Sequence, residues 1–282
     1  MTALRGLCVP GALARMRRVL GLLALLLCGL WRTAQAQPLP QVIDIPTRPA
    51  VSQRVLLLVP ESVRAWVLLF PGGNGGLQLD VHGQMRWGSG NFLVRSRDLF
   101  AREGLAVAVL DSPSDRQQAP FLEGFRQTAA HQEDVVAVLA ALRQRVAVPV
   151  WLVGTSRGTE SAAYLASALT GAAGPDGVVL TSSILRDVGG RALPDLPLHR
   201  IRVPVLVVHH EDDGCRACRY SDMPALMQAL ASTPRAELVT FRGGLSQGNL
   251  CGAFAHHGYN GIEADVVARI GAWIRAMPAR QP

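Results

Sequence analysis

The chain has 282 residues, 49% hydrophobic and 17% charged, with a net charge of +7 and no lysine among its 28 basic side chains. Five of the arginines, and none of the 21 acidic residues, lie in the first 36 positions, so the remaining 246 residues carry 23 basic against 21 acidic groups, a net +2. That balance, without an arginine-rich run or an aromatic-interleaved basic patch, excludes a nucleic-acid-binding class, and the apolar content suits one domain with a large core.

Arg15, Arg17 and Arg18 precede an uncharged run over 19–31 that is too short for a membrane span, and Ala34-Gln35-Ala36 follows as a small-x-small site. The pattern predicts a signal peptide over 1–36 and a soluble mature domain over 37–282, periplasmic or secreted. Leu25, Leu26 and Leu27 precede Cys28 where a lipobox needs a small residue, so no stable membrane insertion is expected after cleavage.

Beyond the leader, apolar runs alternate with helical patterns for the whole length, which predicts an α/β sheet flanked by helices. Residues 42–45 and 51–59 read as an antiparallel opening pair. A strand over 65–70 ends in Pro71-Gly72-Gly73-Asn74-Gly75-Gly76, and a helix over 92–103 is stopped by Gly104. A buried strand over 105–110 and a long helix over 128–146 follow, and then a strand over 148–153 with the continuous apolar pattern of a parallel sheet. After the next helix, over 160–169, come strands over 177–180 and 203–209, a helix over 223–231, a strand over 236–241 and a final helix over 262–277. There is no internal repeat, and the short interval between the strands near 178 and 205 has no room for a large cap domain.

Between the strand over 148–153 and its helix stands Gly154-Thr155-Ser156-Arg157-Gly158. A Gly-x-Ser-x-Gly turn joins strand to helix so sharply that only small residues fit two positions either side of the serine, whose hydroxyl is left protruding. Serine alone is a poor nucleophile. It needs a base, for which histidine is suited by its near-neutral pKa, and a carboxylate to orient that base. Acids cluster in His209-His210-Glu211-Asp212-Asp213, and His256-His257 precedes the last helix.

In these features the chain resembles the α/β hydrolases, whose order is serine, acid, histidine on loops at the C-terminal edge of a mostly parallel sheet. The resemblance implies Ser156 as nucleophile, Asp213 as acid with Asp212 as the alternative, and His257 as base with His256 as the alternative. His210 stands where the family commonly has glycine. The glycine loop occupies the position of the oxyanion loop, so the backbone N–H of Gly73, or of Asn74, and that of Arg157 are the expected donors. The implied activity is hydrolysis of a small-molecule carboxylic ester through an acyl-enzyme; a peptidase or amidase with the same triad, and a noncatalytic binding protein on this scaffold, are the alternatives. The glycine loop lacks the ending of a phosphate-binding loop, and Cys215-Arg216-Ala217-Cys218 lacks a second ligand pair for zinc, so neither cofactor nor metal is expected. Cys215 and Cys251 flank the acid and histidine loops, and a disulfide between them is expected, with Cys218 to Cys251 as the other possibility.

Overall fold

A computed structural model describes residues 38–186 and 192–278; the predicted leader over 1–36 lies outside the described residues. Eight strands form one sheet: β1 (Gln41–Arg48), β2 (Val51–Leu58), β3 (Ala65–Phe70), β4 (Leu105–Pro113), β5 (Val150–Thr155), β6 (Gly177–Thr181), β7 (Val205–His210) and β8 (Ala236–Phe241). Their spatial order is β1-β2-β4-β3-β5-β6-β7-β8, antiparallel through β1, β2 and β4 and parallel from β4 onward.

Every residue of β3 through β7 is buried, as expected where helices cover both faces of a parallel sheet. The period-two side-chain alternation divides these strands between two cores. Trp66, Leu68 and Phe70 face one side, against α3 (Ala129–Arg145), α4 (Gly158–Ala168) and α5 (Met223–Ala229). Ala65, Val67 and Leu69 face the other, against α1 (Phe92–Arg95), α2 (Arg97–Arg102) and α6 (Glu263–Ala276). None of these helices is long and apolar enough to cross a membrane among the described residues.

From β3 the chain passes to β4 on one side, then returns to β5 on the other. Chain direction therefore diverges between β3 and β5, and loops leaving the carboxyl ends of strands at such a point leave a crevice for a ligand. The loops after β3 and β5 are the glycine loop and the Gly154–Gly158 turn.

Element ends differ from the expected bounds by up to three residues, β1 for instance running on to Arg48, and one helix is divided. The single helix over 92–103 is broken at Ser96, where Leu99 and Phe100 share the Ser96 carbonyl at 2.9 and 3.3 Å, an i,i+3 tightening that starts a second helix. The strand over 105–110 continues to Pro113, because Gln53 still pairs there after a register shift between Gln53 and Val55.

Candidate active site

Ser156 follows the last residue of β5 and takes a left-handed backbone, φ +52°, which costs a non-glycine residue about 1–2 kcal/mol. The turn around it leaves no space for side chains at the flanking glycines. A Cβ on Gly154 would lie 2.5 Å from the Gly158 carbonyl oxygen and 2.8 Å from Thr159 Cα. One on Gly158 would lie 2.8 Å from the Phe70 carbonyl carbon and 3.0 Å from the Pro71 oxygen. The Ser156 N–H donates to Thr181 O at 3.0 Å, and the Ser156 carbonyl accepts from the Thr159 N–H at 2.9 Å and hydroxyl at 2.6 Å. The serine thus stands at the N-terminal end of α4, where the helix dipole favours developing negative charge.

The glycine loop lies directly against this turn, since a Cβ on Gly72 would lie 3.0 Å from Ser156 Cβ. Gly73 has φ +62° and open space where a side chain would be. Asn74 folds its amide oxygen back onto the Gly76 N–H at 3.2 Å, and its carbonyl accepts from the Leu122 N–H at 2.9 Å. The Arg157 side chain meets Glu123 at 3.5 Å.

Asp213 and His257, the expected acid and base, lie 44 residues apart in the chain and meet in the structure. Asp213 follows β7 and is buried; its Oδ2 accepts from His257 Nδ1 at 2.9 Å and its Oδ1 from the Cys215 N–H at 2.9 Å. With Nδ1 given to the carboxylate, His257 is held in the tautomer that leaves Nε2 as an acceptor, and that buried Nε2 has no hydrogen-bond partner. The Ser182 hydroxyl donates to the His257 carbonyl at 2.7 Å, while the neighbouring Thr181 holds the Ser156 N–H. The buried Tyr259 hydroxyl donates to Val208 O at 2.8 Å and accepts from the Ser182 N–H at 3.2 Å, fastening the histidine loop to β6 and β7.

Asp212 and His256 form no side-chain pair: Asp212 is exposed, and His256 Nδ1 reaches only its backbone carbonyl at 3.3 Å. His256 instead stacks on His210, with ring centroids 4.4 Å apart and planes 7° apart.

Cys215 and Cys251 are joined, with Cα atoms 4.5 Å apart, and Cys218 is a buried free thiol whose pKa is raised by burial. Two clusters among the described residues have metal-ligand residue types. In one, Cys215, Cys218 and His257, the first sulfur is bonded to Cys251. In the other, His210, Asp212 and His256, both His210 nitrogens are taken by backbone groups, Nε2 by Gly243 O at 2.8 Å and Nδ1 by the Asp212 N–H at 3.0 Å.

Neither a family model nor a curated protein matches this sequence. Solved structures do match in shape. A dienelactone hydrolase from Anabaena variabilis superposes at TM-score 0.60 with 14% identity, over 86% of this chain and 100% of that one. An α/β serine hydrolase without lid from Xanthomonas campestris gives 0.56 and 18%, over 85% and 97%. A thermostable carboxylesterase cloned from a metagenomic library gives 0.56 and 18%, over 96% and 100%.

The chain has the α/β-hydrolase fold.

Three residues of this α/β-hydrolase scaffold that sequence reading passed over contact the site or its loops. Asp111, fully buried at the end of β4, accepts from the backbone N–H groups of Leu77, Gln78, Leu79 and Ser112 at 2.7–3.2 Å, shaping the chain as it leaves the glycine loop. His209 donates its Nε2 proton to Cys218 O at 2.7 Å and stands 3.8 Å from Asp213 Oδ2; burial lowers its pKa, so it sits beside the acid as a neutral ring. Arg126 lies beneath the glycine loop. An acidic strand end signals Asp111 weakly, and nothing local in the sequence marks the other two.

Proposed function

We propose that the protein is an exported serine hydrolase that cleaves small-molecule carboxylic esters through an acyl-enzyme. The observation that carries this reading is the buried Asp213–His257 pair, 2.9 Å long, which leaves His257 Nε2 unpartnered, with the His257 and Ser156 backbones bonded to the adjacent residues Ser182 and Thr181. In the first half-reaction Ser156 Oγ attacks the ester carbonyl as His257 Nε2 takes its proton, and Asp213 holds the ring and stabilises the imidazolium. The backbone N–H groups of Gly73 and Arg157 receive the oxyanion, with that of Asn74 as the neighbouring donor. His257 then returns the proton to the leaving alcohol. Water, deprotonated by the same nitrogen, releases the acid.

Export is supported by the Cys215–Cys251 disulfide, since such bonds persist in oxidising compartments. Cleavage after Ala36 would give a mature chain beginning at Gln37, and N-terminal sequencing of the exported protein tests it.

The activity is tested with a fluorophosphonate probe and a panel of p-nitrophenyl esters of rising acyl length, run beside aminoacyl anilides. Wild type should label stoichiometrically and hydrolyse esters, and Ser156→Ala should do neither to within several orders of magnitude. Absence of labelling would favour a binding protein, and anilide hydrolysis above ester hydrolysis would favour a peptidase.

A further inference from the structure

Arg126 is a guanidinium buried to 3% exposure in the segment between β4 and α3. Its Nη2 donates to the Pro71 carbonyl at 3.0 Å and to the Gly73 carbonyl at 3.3 Å, and its Nη1 donates to Ser161 Oγ at 3.1 Å. Ser161, one turn into α4, is in turn 3.0 Å from His131 Nε2 on α3. The glycine loop is shaped around this side chain, since a Cβ on Gly75 would come 2.5 Å from Nη2. Desolvation lowers the Arg126 pKa to about 10, opposed by Glu160 and assisted by Arg157, so the group is still a cation at neutral pH.

The two carbonyls that Arg126 holds flank the Gly72–Gly73 peptide. A peptide unit is planar, so the place of the Gly73 N–H follows the Gly72 and Gly73 Cα atoms, and these are set by the peptide units on either side, whose carbonyls Arg126 holds. Gly73 has no side chain, and no atom lies where its Cβ would find a contact, so side-chain packing does not hold it. A buried polar network that is tied at several points is rigid.

We infer that Arg126 is a positioning residue for the oxyanion loop: by bridging the Pro71 and Gly73 carbonyls and anchoring them to Ser161 on α4, it fixes the position of the Gly73 N–H relative to Ser156. The inference rests on the reading of Ser156 as nucleophile and Gly73 as oxyanion donor. Arg126 touches no reacting atom. Its effect is carried by the loop, and belongs to the transition state, in which the carbonyl oxygen becomes an oxyanion.

The test compares Arg126→Met and Arg126→Lys with wild type and Ser156→Ala, measuring kcat per fluorophosphonate-titrated site, KM for a p-nitrophenyl ester, and affinity for an alkylboronic acid, which forms a tetrahedral adduct with the serine. Arg126→Met should lower kcat about 100-fold with KM within about twofold, and boronate affinity should fall in proportion, as for loss of one oxyanion donor. Arg126→Lys, which can reach one carbonyl but cannot bridge two, should recover part of the loss. A merely structural arginine would lower the melting temperature and the titratable fraction while leaving kcat per site unchanged, and that result overturns the inference. If Arg126→Met does not accumulate, Arg126→Lys decides alone: about tenfold loss of kcat supports the role, and wild-type kcat overturns it. Activity surviving in Ser156→Ala would instead remove the reading of the site, which the Arg126 variants cannot do.

Discussion

Gly158→Ala adds one methyl group where the first turn of α4 crosses the end of β3. The new Cβ would lie 2.8 Å from the Phe70 carbonyl carbon and 3.0 Å from the Pro71 oxygen, and closer still to the Phe70 oxygen. These are backbone atoms of a fully buried strand, so no side chain can swing aside, and helix and strand must separate by an appreciable fraction of an ångström. Overpacking of this kind costs about 3 kcal/mol, offset by the roughly 1 kcal/mol by which alanine outranks glycine in a helix. A net cost of about 2 kcal/mol in a domain of this size lowers Tm by about 4–8 °C. The atoms displaced are those entering the glycine loop, and a misplacement near 1 Å at a catalytic site costs about 100-fold in rate. Calorimetry and ester kinetics on purified Gly158→Ala measure both effects. Gly124→Ala is the matched control: Gly124 has φ +70° but open space around it, so alanine there should cost about 1 kcal/mol of backbone strain and leave kcat untouched. Wild-type stability and rate in Gly158→Ala, or an equal loss of rate in the control, would refute the steric argument.

Further expectations follow from the site and from the buried charges. His257→Ala should be nearly as inactive as Ser156→Ala while His256→Ala stays within about tenfold of wild type, and Asp213→Asn should be far more damaging than Asp212→Asn; reversal of either pair in ester kinetics would move that residue assignment by one position. Removing the Cys215–Cys251 bond, which closes a sequence separation of 36 residues, should cost about 2–4 kcal/mol, and activity should fall with stability because both ends lie beside Asp213 and His257; denaturant titration of the double serine variant with unchanged midpoint would contradict this. His131 is fully buried, and desolvation, with the charges of Arg126 and Arg48, lowers its pKa to about 3 from 6.5. The folded state therefore keeps this ring neutral while the unfolded chain protonates it, so stability should decline as pH falls below about 6.5, by a total on the order of a few kcal/mol near pH 3. His131→Gln should flatten that acid limb in pH-dependent melting, and an unchanged slope would count against the assignment.

The features legible in the sequence are those whose physical demand is local. The Gly154–Gly158 spacing is a steric requirement of one turn, and the continuous apolar runs of β3, β5 and β7 reflect burial on both faces. Residues that act through the fold gave no such signal. Arg126 sits in a polar, turn-rich segment where an arginine is unremarked, and becomes significant only because β3 ends above it. His209 reads as the end of a strand, yet the turn after β7 brings Asp213 back within 3.8 Å of it. The break at Ser96 was hidden because the residues around it continue a helical pattern, while the carbonyl shared by Leu99 and Phe100 is a backbone feature that the side-chain pattern does not record.

Thr181 and Ser182 are consecutive residues at the end of β6; one receives the Ser156 N–H, and the other donates to the His257 carbonyl. The end of β6 thus touches both the Ser156 turn and the His257 loop through adjacent residues, so a change there is felt at both. The His257 loop is also bonded at Cys251 to the loop that carries Asp213. Both loops are thus tied to an interior strand rather than to the edge strand β8, and ester kinetics should be less sensitive to substitutions along β8 than the melting temperature is.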